Sequence, residues 1–170
     1  PCLAGDKLIF CSTNDSLHLH TTHCIDRNTT NVIWKYNDSV SFAESPVVYN
    51  DLVILGGINT HELNLNNGNI EWIYEPQPLG YSLYNNPLLV DDAVYFASYQ
   101  SVTKHAASSG AVIWETEGDG GFINLLRSRL VFKNGKLYFC DATYKRLYSF
   151  IESTGQIEWY MTFEAAFMNK

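Results

Sequence analysis

Short apolar runs alternate with polar pairs and with turns rich in Gly and Asn along the length of the chain. Two such runs flank each of the pairs Asn50-Asp51, Asp91-Asp92 and Asn134-Gly135. Runs of this kind around a polar pair are typical of strands joined by a tight hairpin. The only segment that resembles a helix is the short tail at 163–168. The pattern therefore predicts an all-β chain.

The tryptophans indicate that these strands form a repeat. Each one closes a similar phrase of turn residues and apolar residues, and they follow one another roughly every 40 residues. The phrases end at Trp34, Trp72, Trp114 and Trp159. A hairpin phrase opens each unit, and a third apolar run lies between the hairpin and the tryptophan. Four strands per unit are the composition of one propeller blade.

We therefore predict one domain, a β-propeller of four four-stranded antiparallel blades. The repeats are expected at about 1–42, 43–82, 83–123 and 124–162, followed by a tail at 163–170. Three arrangements are open: a small closed ring, an open half that pairs with a second copy, or a fragment of something longer. An open stack would expose the apolar faces of its end blades, so we expect a single closed ring, latched by the tail.

The turn before each tryptophan strand carries a glycine in three of the repeats. Gly68, Gly110 and Gly155 are predicted to adopt a positive φ there, where a side chain would be strained. Thr30 occupies this place in the first repeat, so we expect that turn to be looser. The tryptophans are expected to wedge between neighbouring blades and to bury a large apolar area.

The opening phrase at 45–57 and the turn phrase at 66–72 resemble the PQQ-like repeat, also called the quinoprotein or tryptophan-docking repeat. The resemblance extends over nearly the entire chain and implies a propeller fold. Members of this family include quinoprotein alcohol dehydrogenases, a bacterial outer-membrane assembly lipoprotein and luminal sensors of the unfolded-protein response, so the fold does not imply one chemistry. Full quinoproteins usually have about eight such repeats, whereas this chain has four.

The residues do not suggest an enzyme, a cofactor or a metal centre. A quinone-dependent dehydrogenase of the resembling family would need a cofactor pocket, calcium ligands and a catalytic Asp, framed by more blades. Asp91-Asp92 is interpreted as a turn, where Asp is common for backbone reasons. One metal hypothesis stays open: His18 and His20 alternate along a strand and, with His23 or Cys24, could bind zinc. The simpler interpretation is a polar hairpin whose histidines face water.

Charge and cysteines limit the partners and the compartment. The net charge of −7 argues against nucleic acid, and the chain has no apolar stretch long enough to span a membrane. Cys2, Cys11, Cys24 and Cys140 have neither a CxxC pair nor zinc-like spacing. We therefore expect reduced, structural cysteines and a cytoplasmic protein, monomeric or homodimeric.

The connections between blades are the predicted binding surface, because they lie on one face of a propeller near its axis. They combine acidic groups with aromatic side chains, which suits recognition of another protein, one of basic character. The predicted partner-binding residues are Asp38, Phe42, Glu44, Glu75, Tyr81, Tyr84, Glu117, Asp119 and Phe122.

We expect a non-enzymatic protein-binding propeller, in particular an immunity protein or antitoxin that neutralises a basic toxin. The alternatives are a stress-sensing or scaffolding domain of a larger secretory protein, and a propeller that binds carbohydrate or another small ligand. In the last case Tyr81, Tyr84 and Phe122 would be stacking platforms.

Overall fold

The computed structural model describes residues 1–14, 19–38, 45–57, 59–74, 86–98, 101–118, 129–141 and 144–163. Over these ranges the chain forms sixteen strands and no helix, so none of the described residues belongs to a helix able to cross a membrane. The strands form four antiparallel sheets of four consecutive strands each, as the repeat predicts. The all-β propeller prediction is confirmed.

Each sheet is one blade, and its strands follow chain order from one edge to the other. Blade 1 contains β1 (Cys2–Ala4), β2 (Lys7–Asn14), β3 (Leu19–Asp26) and β4 (Val32–Asp38). Blade 2 contains β5 (Val47–Tyr49), β6 (Leu52–Leu55), β7 (Thr60–Asn64) and β8 (Ile70–Tyr74). Blade 3 contains β9 (Leu88–Val90), β10 (Ala93–Ala97), β11 (Ser101–Ala106) and β12 (Val112–Glu117). Blade 4 contains β13 (Val131–Lys133), β14 (Lys136–Asp141), β15 (Arg146–Ile151) and β16 (Ile157–Thr162).

Two-residue loops join the first two strands of every blade, at the predicted polar pairs. Tyr49 pairs with Leu52 across Asn50-Asp51, and Val90 pairs with Ala93 across Asp91-Asp92. The first loop residue has a positive φ, 53° at Asn50 and 52° at Asp91. Asn and Asp tolerate this left-handed conformation better than other residues that carry a side chain, which explains their place in the loop.

The turn between the third and fourth strands has the same form in all four blades. Gly68, Gly110 and Gly155 have φ angles of 74°, 68° and 74°, which confirms the predicted glycine role. Thr30 has a φ of 61°, and its N–H donates to the Asp26 carbonyl at 2.8 Å, as the Gly68 N–H donates to the Asn64 carbonyl at 2.8 Å. The expectation of a looser first turn is therefore wrong. The Asp26 carboxylate accepts hydrogen bonds from the backbone N–H groups of Asn28 and Thr29, and these bonds stabilise the turn although it carries threonine in place of glycine.

The core consists of three clusters, each of which fills one interface between consecutive blades. Alternate residues of a strand point to opposite sides, so every blade has a forward face toward the next blade and a backward face toward the previous one. Ile9 and Cys24 from blade 1 pack with Val53 and Leu63 from blade 2. The other two clusters join blade 2 to blade 3 and blade 3 to blade 4 in the same manner.

The four blades do not close into a ring. Buried clusters join blade 1 to blade 2, blade 2 to blade 3 and blade 3 to blade 4, but among the described residues none joins blade 4 to blade 1. The expected closed ring is wrong, and the described part of the chain is an open stack. Phe163 donates its N–H to the Lys145 carbonyl within blade 4, and the rest of the expected latch lies outside the described residues.

Candidate interaction surfaces

Three of the four tryptophans dock on the glycine turn of the following blade. The ring of Trp34 lies on the Gly68 turn of blade 2, and its Nε1–H donates to the Leu65 carbonyl at 2.9 Å. Trp114 lies on the Gly155 turn of blade 4 and donates to the Glu152 carbonyl at 2.9 Å. The ring of Trp72 packs on Gly110 of blade 3. These contacts confirm the predicted wedging for three of the four tryptophans.

The fourth tryptophan has no described blade in front of it. Trp159 is 39% exposed, whereas Trp34 is 7% exposed. Its ring lies 6.3 Å from that of Tyr138, much as Trp114 lies 6.0 Å from Tyr95 at the filled interface between blades 3 and 4. The forward face of blade 4 therefore has the side chains of an inter-blade interface without the next blade.

The fourth strands form the outer edges of the blades and expose apolar side chains in every repeat. Their exposed apolar residues are Val32, Ile33, Ile70, Ile73, Val112, Ile113, Ile157, Trp159, Tyr160 and Met161. In the sheets of the described chain, β4, β8, β12 and β16 each pair with one strand only. Each blade thus offers an edge with main-chain donors and acceptors beside exposed aliphatic groups. We call these edges the outer strands.

A charged group links blades 3 and 4 near the tryptophan contact. Lys104 Nζ lies 2.5 Å from Glu152 Oε1, and the Tyr95 hydroxyl donates to the same carboxylate oxygen. Burial opposes the charge on Glu152, but the hydrogen bonds from Lys104 and Tyr95 lower its pKa below the usual value. Burial and this hydrogen bond raise the pKa of Tyr95, so the phenol stays protonated. Lys104, Tyr95 and Glu152 thus stabilise the interface between blades 3 and 4. Because each is engaged in this contact, none of the three is available as a free acid or base.

Glu62 is the most unusual carboxyl of the described residues. It lies across from Trp72 in the sheet of blade 2, is fully buried, and neither of its oxygens has a hydrogen-bond partner among the described residues. Burial raises its pKa to about 7, and the nearby Glu71 carboxylate acts in the same direction. A buried carboxyl without partners favours the neutral form.

Two buried histidines lie at interfaces between blades, His61 facing blade 1 and His105 facing Tyr74 of blade 2. His61 Nδ1 of blade 2 lies 3.3 Å from Asp38 Oδ2 of blade 1. His105 Nδ1 donates to the Gly110 carbonyl at 3.0 Å, so its Nε2 accepts from the Thr103 hydroxyl at 3.0 Å in the neutral ring. Burial lowers the pKa of His105, which favours this neutral tautomer.

Only two of the nine predicted partner-binding residues lie in the described part of the chain. Asp38 ends β4 and is mostly buried beside His61, whereas Glu117 ends β12 and is exposed. The other seven lie outside the described residues: Phe42, Glu44, Glu75, Tyr81, Tyr84, Asp119 and Phe122. Three charged residues at the interfaces were not predicted from the sequence: Glu62, Lys104 and Glu152. Each occupies a position that is uncharged in at least one other repeat.

The hypothetical zinc ligands do not form a site among the described residues. His20 and His23 lie three positions apart on β3 and therefore on opposite faces, and His23 stacks on Phe10 at 4.8 Å. Cys24 is buried against blade 2, and His18 lies outside the described residues. Burial raises the pKa of the Cys2 thiol to about 11, and it also raises the pKa values of Cys11 and Cys24. These thiols are protonated and structural at neutral pH.

Comparison with known structures places this architecture among larger propellers. BamB from Moraxella catarrhalis is similar with a TM-score of 0.70 and 19% identity over 94% of this chain and 50% of that chain. Quinohemoprotein alcohol dehydrogenase from Comamonas testosteroni has a TM-score of 0.73 and 12% identity over 95% of this chain and 34% of that chain. The computationally designed Ika8 protein has a TM-score of 0.63 and 10% identity over 89% of this chain and 48% of that chain. At these identities the likeness shows the fold alone. The chain spans half of the BamB chain and a smaller part of the dehydrogenase chain, 34%.

A family model described as "Outer membrane protein assembly factor BamB" matches residues 4–169. No curated protein matches the sequence significantly. The description of the family points away from the cytoplasm, so the expected cytoplasmic location is wrong. Cysteines that lack a CxxC pair and zinc-like spacing do not identify a compartment, because a free, structural thiol can persist in more than one. Because the family model covers almost the entire chain, the chain belongs to the PQQ-repeat family of outer membrane protein assembly factor BamB.

Proposed function

We propose that this chain is a non-enzymatic β-propeller that binds other polypeptides and acts as a scaffold for their assembly. The observation that carries the proposal is the repeated exposure of apolar side chains on the outer strands of all four blades. Exposed apolar surface that recurs in every repeat is typical of a surface that contacts other proteins. The family description, an assembly factor, supports the same interpretation.

The outer strands suit an extended polypeptide. Each has one unpaired edge among the described strands, so a partner strand could add main-chain hydrogen bonds there. Ile73 and Ile113, which are 44% and 53% exposed, would give that strand apolar contacts. The proposed partner segment is therefore extended, with apolar side chains at intervals.

A narrower version of the proposal concerns the charge of the partner. The net charge of −7 supports a basic protein, including a toxin that an immunity protein or antitoxin would neutralise. In this version the exposed Glu117 contributes at the end of β12. The seven predicted residues beyond the described ranges belong to the same hypothesis.

Site-specific photo-crosslinking tests the proposal. A photoreactive phenylalanine analogue at Ile73 or Ile113 should crosslink to a defined protein, which mass spectrometry identifies. The same analogue at the exposed turn residues Ser108 and Ser153 provides the control and should give no such product. An outer-membrane protein or its assembly partner would support the scaffold, and a basic toxin would support the narrower version. Equal crosslinking at all four positions would contradict binding along the outer strands.

The alternative is an enzyme of the kind found among the structural relatives, the quinohemoprotein alcohol dehydrogenases. Such an activity requires a quinone cofactor and calcium. Titration of the purified chain with pyrroloquinoline quinone and Ca²⁺, followed by equilibrium dialysis, tests this alternative directly. Stoichiometric binding would overturn the non-enzymatic assignment.

A further inference from the structure

The outer strands differ in the charges that they carry beside their exposed apolar groups. Directly after its tryptophan, β4 has Lys35, whereas β12 has Glu115 at the same position. Two residues further on, β4 has Asn37 and β12 has Glu117. All four of these side chains are exposed, so β4 and β12 present groups of opposite charge to a partner.

The carboxylates of Glu115 and Glu117 are not engaged by other side chains. Neither has an ion pair or a side-chain hydrogen bond within the described part of the chain. The exposed glutamates of β8 and β16 are engaged: Glu71 accepts a hydrogen bond from an asparagine amide at 2.9 Å, and Glu158 lies 2.6 Å from Lys136 Nζ. Among the described outer strands, β12 thus has the carboxylates that are available to a cation.

Both carboxylates lie on the side of β12 that faces blade 2. Glu115 lies opposite Thr103 in the sheet, and the Thr103 hydroxyl bonds to His105, whose ring packs edge-on against Tyr74 of blade 2 at 4.6 Å. Burial, and after it the nearby Glu115 carboxylate, raises the pKa of Tyr74, in agreement with this placement. Glu117 is two residues further along the strand and points to the same side, about 7 Å away.

The main chain of β12 supplies the rest of a docking edge. Among the described strands it pairs with β11 alone, so its other edge has N–H and C=O groups for one more strand. Cβ atoms of directly opposite residues lie about 4.5–5.5 Å apart in a sheet, so two alternate residues of an added strand would face Glu115 and Glu117. A residue further along that strand would contact Ile113, which is 53% exposed.

We propose that β12 docks an extended basic segment, with Lys or Arg at two alternate positions and an apolar residue beyond them. The basic side chains pair with Glu115 and Glu117, and the apolar one covers Ile113. Opposite charges on neighbouring strands stabilise a sheet and like charges destabilise it, so Lys35 disfavours the same segment on β4. The inference rests on the proposed binding along the outer strands and narrows it to one strand and one class of partner.

Peptide binding tests the chemistry of the partner. The probe is a labelled peptide of about ten residues, made of alternating Thr and Val with Lys at two alternate positions, and the control peptide has Glu in place of both Lys. Fluorescence anisotropy should show that the Lys peptide binds about tenfold more tightly than the Glu peptide. Added NaCl should weaken the binding of the Lys peptide, because salt screens exposed ion pairs.

Charge reversal locates the contact. The double variant Glu115→Lys/Glu117→Lys should prefer the Glu peptide, the reverse of the wild type. Glu115→Gln/Glu117→Gln should bind the Lys peptide about fivefold more weakly, the loss expected for two exposed ion pairs. Glu71→Gln is the matched control on β8 and should leave the affinity unchanged. Thermal unfolding verifies that each variant is folded.

Crosslinking of the Lys peptide distinguishes this inference from the proposed function. The photoreactive phenylalanine analogue should crosslink to it at Ile113, and much less at Ile33 of β4 or Ile73 of β8. Equal crosslinking at the three positions, or a preference for the Lys peptide that survives charge reversal, would overturn the choice of β12 and leave the proposed function standing. Absence of peptide binding would also overturn this inference alone if Ile73 or Ile113 still crosslinks to a defined protein.

Discussion

The most informative single residue is Glu62, a fully buried carboxyl on β7 of blade 2, across from Trp72 in the sheet. Its fully buried side chain costs free energy whenever it is ionised, because no described group donates a hydrogen bond to it. Sequence patterning places residue 62 in a strand but does not show which side of that strand the next blade covers. A polar residue at such a position therefore becomes exceptional only in the folded structure.

The raised pKa of Glu62 predicts a pH-dependent stability. The folded pKa is about 7, above the ordinary value of 4.5, so the folded state binds the proton more tightly than the unfolded state. The stabilisation that this proton gives the folded state is fully present below about pH 4.5 and is lost as the pH rises to about 7. The free energy of unfolding should fall by up to about 3 kcal/mol over this range. Urea unfolding at pH 5 and pH 8 should show this loss in the wild type and a smaller one in Glu62→Gln.

The neighbouring Glu71 supplies the control for this measurement. It is exposed and bonded to Asn64, so Glu71→Gln should keep most of the wild-type difference between pH 5 and pH 8. An unchanged pH dependence in Glu62→Gln would show that another group is responsible.

At the scale of elements, the tight turns follow from local sequence, and their packing does not. Asn50, Asp91 and Asn134 adopt the left-handed conformation at the hairpins that the polar pairs predict. Thr30 adopts it without glycine because Asp26 caps its turn, a contact the repeat pattern did not anticipate. The link from Lys104 and Tyr95 to Glu152 is likewise formed by different blades and depends on how these pack.

Two glycines with similar backbone angles allow the cost of backbone strain to be measured apart from the cost of disturbed packing. Gly110 and Gly135 have φ angles of 68° and 72°, but only at Gly110 would a Cβ atom meet an indole ring. Gly110→Ala should lower the free energy of unfolding by about 3 kcal/mol, from backbone strain and displacement of Trp72 together. Gly135→Ala should cost only about 1 kcal/mol from strain. Chemical denaturation measures both, and equal losses would contradict the tryptophan-docking account.

At the scale of the molecule, the open stack makes its two ends different from its middle. A closed ring would bury all four tryptophans alike, whereas here Trp159 stands apart from the other three. Repeat counting could not decide this, because four blades fit a small ring and half of a large one equally well. The similarity to half of the BamB chain is consistent with the open arrangement.

Alanine replacement of the first and last tryptophans measures how much more a docked tryptophan stabilises the fold than the exposed Trp159 does. Trp34→Ala should reduce the free energy of unfolding by about 3–5 kcal/mol, because it empties a filled interface. Trp159→Ala should cost about 1 kcal/mol or less in the isolated chain, since its ring is partly solvated already. Equal losses in denaturant unfolding would indicate that blade 4 is covered and that the stack is closed.

The sequence by itself determined the blades, because each blade is made by local hairpins whose turn residues and apolar alternation recur in every repeat. It also determined the glycine turns and the tryptophans that dock on them. Only the tertiary structure decided which polar residues are covered, since the burial of Glu62 and the contact of Glu152 with Lys104 depend on how the blades pack. It likewise decided that the described blades form an open stack, because closure depends on the packing between blades, which no single repeat encodes.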